Sequence, residues 1–253
     1  MDYNNIINEL KAVIGKNYVI TDDWIKEPYS KGWRYGEGNS LAVVKPGSLL
    51  DFWKILKVCV KFDVIIIVQA ANTGLTGGST PFGNNYDRPI VIINTLRIND
   101  IQIINKGKQI IGLAGSTLYD LENKLKPYNR EPHSVIGSTS IGASIVGGIC
   151  NNSGGSLVKR GPAYTELSLY AKVDKRGELI LVNELEVNLG SSEEEILNNL
   201  ENRNYNESDI IDKWINYYNK SHNLRTFVQG LYGEMLLETK VVPVTRTMSE
   251  FGL

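Results

Sequence analysis

The chain has 253 residues, 42% of them hydrophobic and 22% charged, and its formal net charge is -1 at pH 7. These values predict a globular protein with a sizeable core, and they argue against nucleic acid as a partner because basic residues are not in excess. The two cysteines, Cys59 and Cys150, are too few for a disulfide framework, so a reducing, cytoplasmic compartment is expected. The N-terminal segment lacks the pattern of a secretory signal, and no apolar run reaches the roughly 18 residues of a transmembrane segment.

Strand and helix patterns alternate through the first hundred residues. Apolar residues at helical spacing predict a leading helix that Gly15 ends, and Ser48 with Asp51 forms an S-x-x-D capping signature before a second helix. The sequence strand, helix, strand with short connections suggests a βαβ unit and a parallel strand pair. The predicted helices of this portion are residues 6–14 and 49–60, and the predicted strands are residues 41–47, 64–68 and 89–96.

Two hairpins are predicted in the rest of the chain, one turning at Lys106-Gly107 and the other at Lys175-Arg176-Gly177. A helix ends near Pro127, a polar helix-prone segment follows Glu193, and a final strand is predicted at residues 234–244. Parallel βαβ structure followed by antiparallel hairpins and helices predicts an α+β fold with two lobes. Three tryptophans are predicted to lie in the core or at the lobe interface: Trp24, Trp33 and Trp53.

The most apolar predicted strand leads directly into QAANTGLTGGST, residues 69–80, which we call the first glycine loop. Glycine allows a ligand to approach the backbone closely, and successive backbone N–H groups can form a concave anion site. No Lys or Arg lies in this loop, so backbone dipoles would do the binding, and a diphosphate is the natural guest. The alternative is a surface turn that joins two strands.

A second stretch rich in Gly, Ser and Ala, residues 137–161, can form the opposite wall of the same cleft. A flat aromatic cofactor needs close backbone approach from both sides, although tight helix packing would also explain the small residues. The G-x-x-x-x-G-K-[ST] motif of P-loop NTPases is absent, as is a G-x-G-x-x-G motif that opens a helix.

Several blocks of the sequence resemble the PCMH-type FAD-binding domains of the vanillyl-alcohol oxidase superfamily, and within it the respiratory, quinone-linked D-lactate dehydrogenases. The blocks are LAVVKPGSLL, QAANTGLTGGSTPFGNNYDR, NTLR, LKPYNREPHSVIGSTSIGASIVGGICNNSGGSLVKRGPAYTE and LVN. The resemblance implies a PCMH-type FAD-binding fold, with FAD between a small parallel βαβ lobe and a mixed or antiparallel lobe. It also implies that the flavin is non-covalent, because the first glycine loop has no histidine for attachment.

The resemblance also implies which residues contact FAD. The first glycine loop would cradle the pyrophosphate, and the second stretch with the C-terminal segment would contact the rest of the cofactor. The implied contacts are Ala70, Ala71, Asn72, Thr73, Gly74, Gly78, Ser79, Gly137, Ser144, Gly154 and Leu237. No metal ligands are predicted.

The resemblance divides the chain into a helical lead-in, a FAD-binding domain and a short tail, and it implies that the substrate-capping domain of full-length members is absent. The two histidines are His133, interpreted as a structural residue, and His222, interpreted as solvated, so the catalytic residues are unknown and the base is expected to be missing. The expected bounds are 1–40 for the lead-in, 41–97 and 98–243 for the two lobes, and 244–253 for the tail.

The function that the resemblance implies is oxidation of D-lactate to pyruvate, with electrons passed through FAD to quinone once the missing domain is supplied. Such a protein would work in the cytoplasm or at the cytoplasmic face of the inner membrane, with peripheral membrane attachment in a full-length form. One alternative is a non-catalytic or partner-dependent FAD-binding protein. Another is an oxidoreductase of the same superfamily that acts on a different 2-hydroxy acid or on a sugar, and a third is an interaction module whose glycines only pack.

Overall fold

The computed structural model describes residues 3–132, 137–151, 153, 168–185 and 187–210. Helices and strands alternate along these residues, and the bounds of both follow. The helices are α1 Tyr3–Ile14, α2 Asp23–Ser30, α3 Leu49–Lys61, α4 Leu118–Leu125, α5 Ile145–Cys150 and α6 Glu193–Glu201. The strands are β1 Val19–Ile20, β2 Ala42–Val44, β3 Ile65–Gln69, β4 Ile90–Asn94, β5 Ile101–Ile104, β6 Gln109–Gly112, β7 Leu169–Val173 and β8 Leu179–Asn183.

The first four strands form one mixed sheet in the spatial order β1-β2-β4-β3. β1 is antiparallel to β2, whereas β4 is parallel to both of its neighbours, β2 and β3. The predicted βαβ unit is therefore present, but the expected direct pairing of its two strands is wrong, because β4 lies between them. All five residues of β4 are buried, as expected for a strand with a neighbour on each side.

The two faces of this sheet bury different apolar clusters. Val44, Val91 and Ile93 face α1 and α3 in the larger cluster, which also includes residues of β7, β8 and α6. Val43 and Ile92 face the other way, where Tyr29 of α2 packs against them. Helices on both faces thus hold the sheet in place, and the carboxyl ends of β3 and β4 point toward the connecting loops.

The start of α3 confirms the predicted capping signature. Ser48 is the N-cap residue, and its side chain accepts a hydrogen bond of 3.0 Å from the backbone N–H of Asp51. The helix then buries Phe52, Trp53 and Ile55 against the sheet. Local polar chemistry and the apolar face of the helix agree here, which is why the sequence alone located this helix correctly.

Ser48→Ala is expected to lower the free energy of unfolding by about 1 kcal/mol, because the N–H of Asp51 loses its partner. Ser48→Asn is the control, since asparagine caps helices as well as serine does. Guanidinium unfolding of the two variants measures the difference, and equal stabilities would contradict a role for this cap.

Beyond residue 97, the two predicted hairpins are confirmed as the antiparallel pairs β5-β6 and β7-β8. One side of β5-β6 packs on α4 and α5 through Ile101, Leu118 and Ile145. The isoleucine and leucine side chains of β5, α4 and α5 form a cluster separate from the core of the main sheet. The predicted strand at 234–244 lies outside the described residues.

The tryptophan prediction is only partly correct. Trp53 is buried, but the side chains of Trp24 and Trp33 are 83% and 64% exposed. α2 turns Lys26 and Ser30 inward, and Trp24, two residues before Lys26, therefore lies on the opposite face of the helix. The helical phase therefore keeps Trp24 out of the core, whereas it places Trp53 on the buried face of α3.

Candidate functional site

The first glycine loop begins the connection between two neighbouring parallel strands. β3 ends at Gln69, and the chain reaches β4 at Ile90 without an intervening helix. Parallel neighbours need a long crossover, which is most often a helix. In this chain the crossover is a loop, so backbone N–H groups that a helix would pair internally are available at the carboxyl end of the sheet.

Hydrogen bonds from polar side chains fix the conformation of the first glycine loop. Asn72 has a left-handed backbone with φ of 54°, and its Nδ2 donates to the carbonyl oxygen of Lys31 at 2.7 Å. Its Oδ1 accepts a hydrogen bond of 2.8 Å from Ser79 Oγ. The side chains of Asn72 and Ser79, both implied FAD contacts, are therefore engaged within the protein, and their backbone groups are what they can offer a ligand.

The backbone N–H groups of residues 70–79 donate to no acceptor within the described part of the chain. The loop contains no Lys or Arg, and Gly74 and Gly78 are exposed. An unpaired run of N–H groups with a left-handed residue at its start is the kind of concave site that binds phosphate oxygens. The loop therefore fits the diphosphate of a dinucleotide without a cationic side chain.

Residues 31–38, where the sequence suggests solvated surface charge at Lys31 and Arg34 or else contacts of the two with a phosphate, pack against this loop. Gly77, with φ of 77°, would place a Cβ 3.2 Å from the carbonyl oxygen of Tyr35, and a Cβ on Gly36 would collide with Thr80 Oγ1. The two backbones approach this closely only because both positions are glycine. The spacing of glycines in KGWRYGEG was the available signal, but it had no interpretation without knowledge of the contact.

The second glycine stretch reaches the first glycine loop at Gly142. A Cβ placed on Gly142 would lie 3.7 Å from the Cβ of Ala71, so the two segments run close enough that an added methyl group would bring them into contact. Ser144 is buried, and its Oγ accepts a hydrogen bond of 3.0 Å from the N–H of Gly147 as the N-cap of α5. A β-bridge between Ser144 and Thr117 ties this stretch to the start of α4.

The structure thus places the start of the second stretch near the loop residues, at Gly142 and Ala71. Ala70, Ala71 and Thr73 are half-buried in the loop, and Gly137 is exposed at the beginning of the second stretch. Four residues discussed in the sequence analysis lie outside the described residues: Gly154, Leu237, His133 and His222.

The described residues offer little other chemistry. Burial raises the pKa of the Cys59 thiol to about 12, so it stays protonated and unreactive at neutral pH. The described part of the chain contains no group of three His, Cys, Asp or Glu side chains arranged to hold a metal. Among the same residues, no helix combines the length and the apolar character needed to cross a bilayer.

A sequence profile of the family described as FAD binding domain matches residues 40–182, more than half of the chain. The chain belongs to this family. FAD is therefore its cofactor, as the sequence resemblance implied, and the match includes both the first glycine loop and the start of the second stretch.

Two curated proteins show which members of the family this chain is similar to. The quinone-dependent D-lactate dehydrogenase of Haemophilus influenzae is 60% identical over 210 residues, and that of Escherichia coli is 54% identical over 209 residues. Each alignment covers 83% of this chain but only 37% of the relative. The resemblance to the quinone-dependent D-lactate dehydrogenases is confirmed, and the chain spans a little over a third of their length.

Solved structures confirm the fold. A crystal structure described as p-cresol methylhydroxylase with substrate bound superposes with a TM-score of 0.53 at 17% identity, covering 71% of this chain and 35% of that one. At this identity the likeness concerns the fold alone. Together with the mixed sheet and the two hairpins, it confirms the predicted PCMH-type α+β fold.

Proposed function

We propose that the chain forms the FAD-binding part of a quinone-dependent D-lactate dehydrogenase, which oxidises D-lactate to pyruvate and passes the electrons to quinone. Bound FAD would supply the hydride acceptor for this reaction. The observation that carries the proposal is the 60% identity to a relative of that name across a region that includes both glycine segments. The proposal places the working protein at the cytoplasmic face of the inner membrane, where quinone would be its acceptor.

Within this proposal the first glycine loop binds the FAD diphosphate through its backbone, and the second stretch contacts the remainder. The unpaired N–H groups and the close approach of Gly142 to Ala71 support this arrangement. The expected division at residues 41, 98 and 244 belongs to the same proposal. The proposed FAD contacts are Ala70, Ala71, Asn72, Thr73, Gly74, Gly78, Ser79, Gly137, Ser144, Gly154 and Leu237.

The flavin is proposed to be non-covalent, because residues 69–83 contain no histidine or cysteine that could attach it. Acid or guanidinium denaturation of the FAD-loaded chain is expected to release all of the flavin into the supernatant. Flavin absorbance that stays with the precipitated protein would contradict non-covalent binding.

The first experiment is the visible absorption spectrum of the purified chain after FAD is added and the excess removed. The loaded chain is then mixed anaerobically with D-lactate, L-lactate and a panel of other 2-hydroxy acids and sugars. Retained FAD that is bleached by D-lactate, and not by L-lactate, supports the proposal. Faster bleaching by another member of the panel would overturn the choice of substrate.

A chimera tests the proposal in the context of a full-length relative. The matched region of this chain replaces the corresponding region of the Haemophilus influenzae relative, so that the rest of a full-length enzyme is supplied. The expected result is D-lactate-dependent reduction of a quinone analogue. A chimera that retains FAD, is reduced by dithionite and does not respond to D-lactate would contradict the proposal and favour a non-catalytic FAD-binding protein.

A further inference from the structure

A buried amide at the end of β3 connects three parts of the candidate site. The side chain of Gln69 is only 1% exposed, and its Nε2 donates to two backbone carbonyl oxygens, those of Tyr29 and Ser79, both at 2.8 Å. Because both partners are acceptors, the orientation of the amide is fixed. Gln69 therefore joins the end of α2 to the far end of the first glycine loop.

The near end of the loop is held by the same group of side chains. Asn94 Nδ2 donates to Gln69 Oε1 at 3.3 Å and to the carbonyl oxygen of Ala70 at 3.0 Å. Thr95 adds a backbone hydrogen bond of 2.8 Å from its N–H to the carbonyl oxygen of Gln69. Gln69 and Asn94 together fix Ala70 and Ser79, so both ends of the loop are anchored to the sheet.

Anchoring through side chains has a consequence for the loop backbone. The hydrogen bonds that hold Ala70 and Ser79 use their carbonyl oxygens, and the N–H groups of residues 70–79 have no acceptor within the residues described. A loop closed by its own backbone N–H groups could not present them to a ligand. The side-chain clamp thus gives the loop a fixed shape while the backbone N–H groups of residues 70–79 stay available.

We infer that Gln69 is a positioning residue for the FAD diphosphate: its amide holds the two ends of the first glycine loop at the separation that presents the loop N–H groups to phosphate. Gln69 itself does not contact the cofactor. The inference rests on the proposal that this loop binds the diphosphate, and it adds a residue that was absent from the implied contacts.

The chain offers a matched control in Gln102 of β5. Gln102 is also 1% exposed, donates from Nε2 to the carbonyl oxygen of Leu200 at 2.9 Å, and accepts a hydrogen bond from Tyr205. Gln69→Met and Gln102→Met each replace a buried amide with an apolar side chain of similar volume. The first amide lies at the loop and the second lies away from it. Both variants should lose similar stability, whereas only the first should lose affinity for a diphosphate.

The test compares the binding of FAD, ADP and FMN to the full chain by fluorescence or calorimetric titration, together with thermal unfolding of the FAD-free proteins. Gln69→Met is expected to raise the Kd for FAD and ADP by about tenfold or more while leaving the Kd for FMN, which lacks a diphosphate, within about twofold. Gln102→Met is expected to leave all three within about twofold. A purely structural role of Gln69 would shift the three ligands equally.

The outcomes distinguish a failure of the proposed function from a failure of the role inferred for Gln69. An unmodified chain that does not bind FAD would overturn the proposed function and the inference together. If the unmodified chain binds FAD, an unchanged FAD affinity in Gln69→Met, or an equal loss for FMN, overturns the inference alone. Should Gln69→Met fail to fold, Gln69→Asn takes its place, because its amide is one methylene too short to reach both carbonyl groups; unchanged FAD affinity there also overturns the inference.

Discussion

Gly74→Val is expected to abolish retention of FAD while the stability of the FAD-free chain changes by less than about 0.5 kcal/mol. Gly74 is exposed and its φ is not in the left-handed region, and a Cβ at this position would meet only Ser79 Oγ, at 3.9 Å. The protein itself can therefore accept a side chain here. The proposed diphosphate cannot, because valine methyl groups would lie beside the N–H groups that bind it, and we expect the Kd to rise about 100-fold, or ~2.7 kcal/mol.

Gly77→Val in the same loop is the control, because here we expect the FAD-free protein itself to lose stability. Its φ of 77° and the close carbonyl oxygen of Tyr35 leave no strain-free place for a side chain, so a loss of about 1–3 kcal/mol of stability is expected. Flavin absorbance after gel filtration and thermal unfolding of the FAD-free proteins measure both effects. A Gly74→Val chain that keeps FAD at the affinity of the unmodified chain would refute the assignment of this loop.

Ile93→Ala is expected to lower the free energy of unfolding by about 2–5 kcal/mol. Ile93 is fully buried within β4, which has a paired strand on each side, so truncation leaves a cavity that neither neighbour can move to fill. Val173→Ala, at a position 53% exposed on β7, should cost less than about 0.5 kcal/mol. Urea unfolding measures the difference, provided that the dependence of the unfolding free energy on urea concentration is unchanged. A loss of stability below about 1 kcal/mol for Ile93→Ala would contradict the central position of β4.

The features that the sequence predicted correctly depend on neighbouring residues. The cap at Ser48 involves a contact three residues away, and the turns at Gly107 and Gly177 each join adjacent strands. The glycine content of residues 69–80 was also sufficient to single out the candidate loop, because no side-chain contact is needed to recognise it.

The features that were missed depend on contacts between distant residues. Insertion of β4 between β2 and β3 follows from the packing of whole strands, which neither strand pattern encodes. Gln69 contacts Tyr29, forty residues earlier in the chain, and Asn94, twenty-five residues later. A glutamine at the end of a strand gives no sign of such partners, so its role became visible only when the segments were brought together.

The position of β4 also bears on the order of folding. It is the last of the four strands in the chain, yet it occupies the gap between β2 and β3, so the main sheet is incomplete until the connection containing the first glycine loop has closed. Closing a loop costs entropy before the strand contacts repay it. The same event brings Asn94 to Gln69, so the anchoring of the loop coincides with the completion of the main sheet. Under the proposed function, FAD bound at this loop would therefore add to the stability of the entire sheet, and amide protons of β4 are expected to gain protection although they are buried away from the ligand.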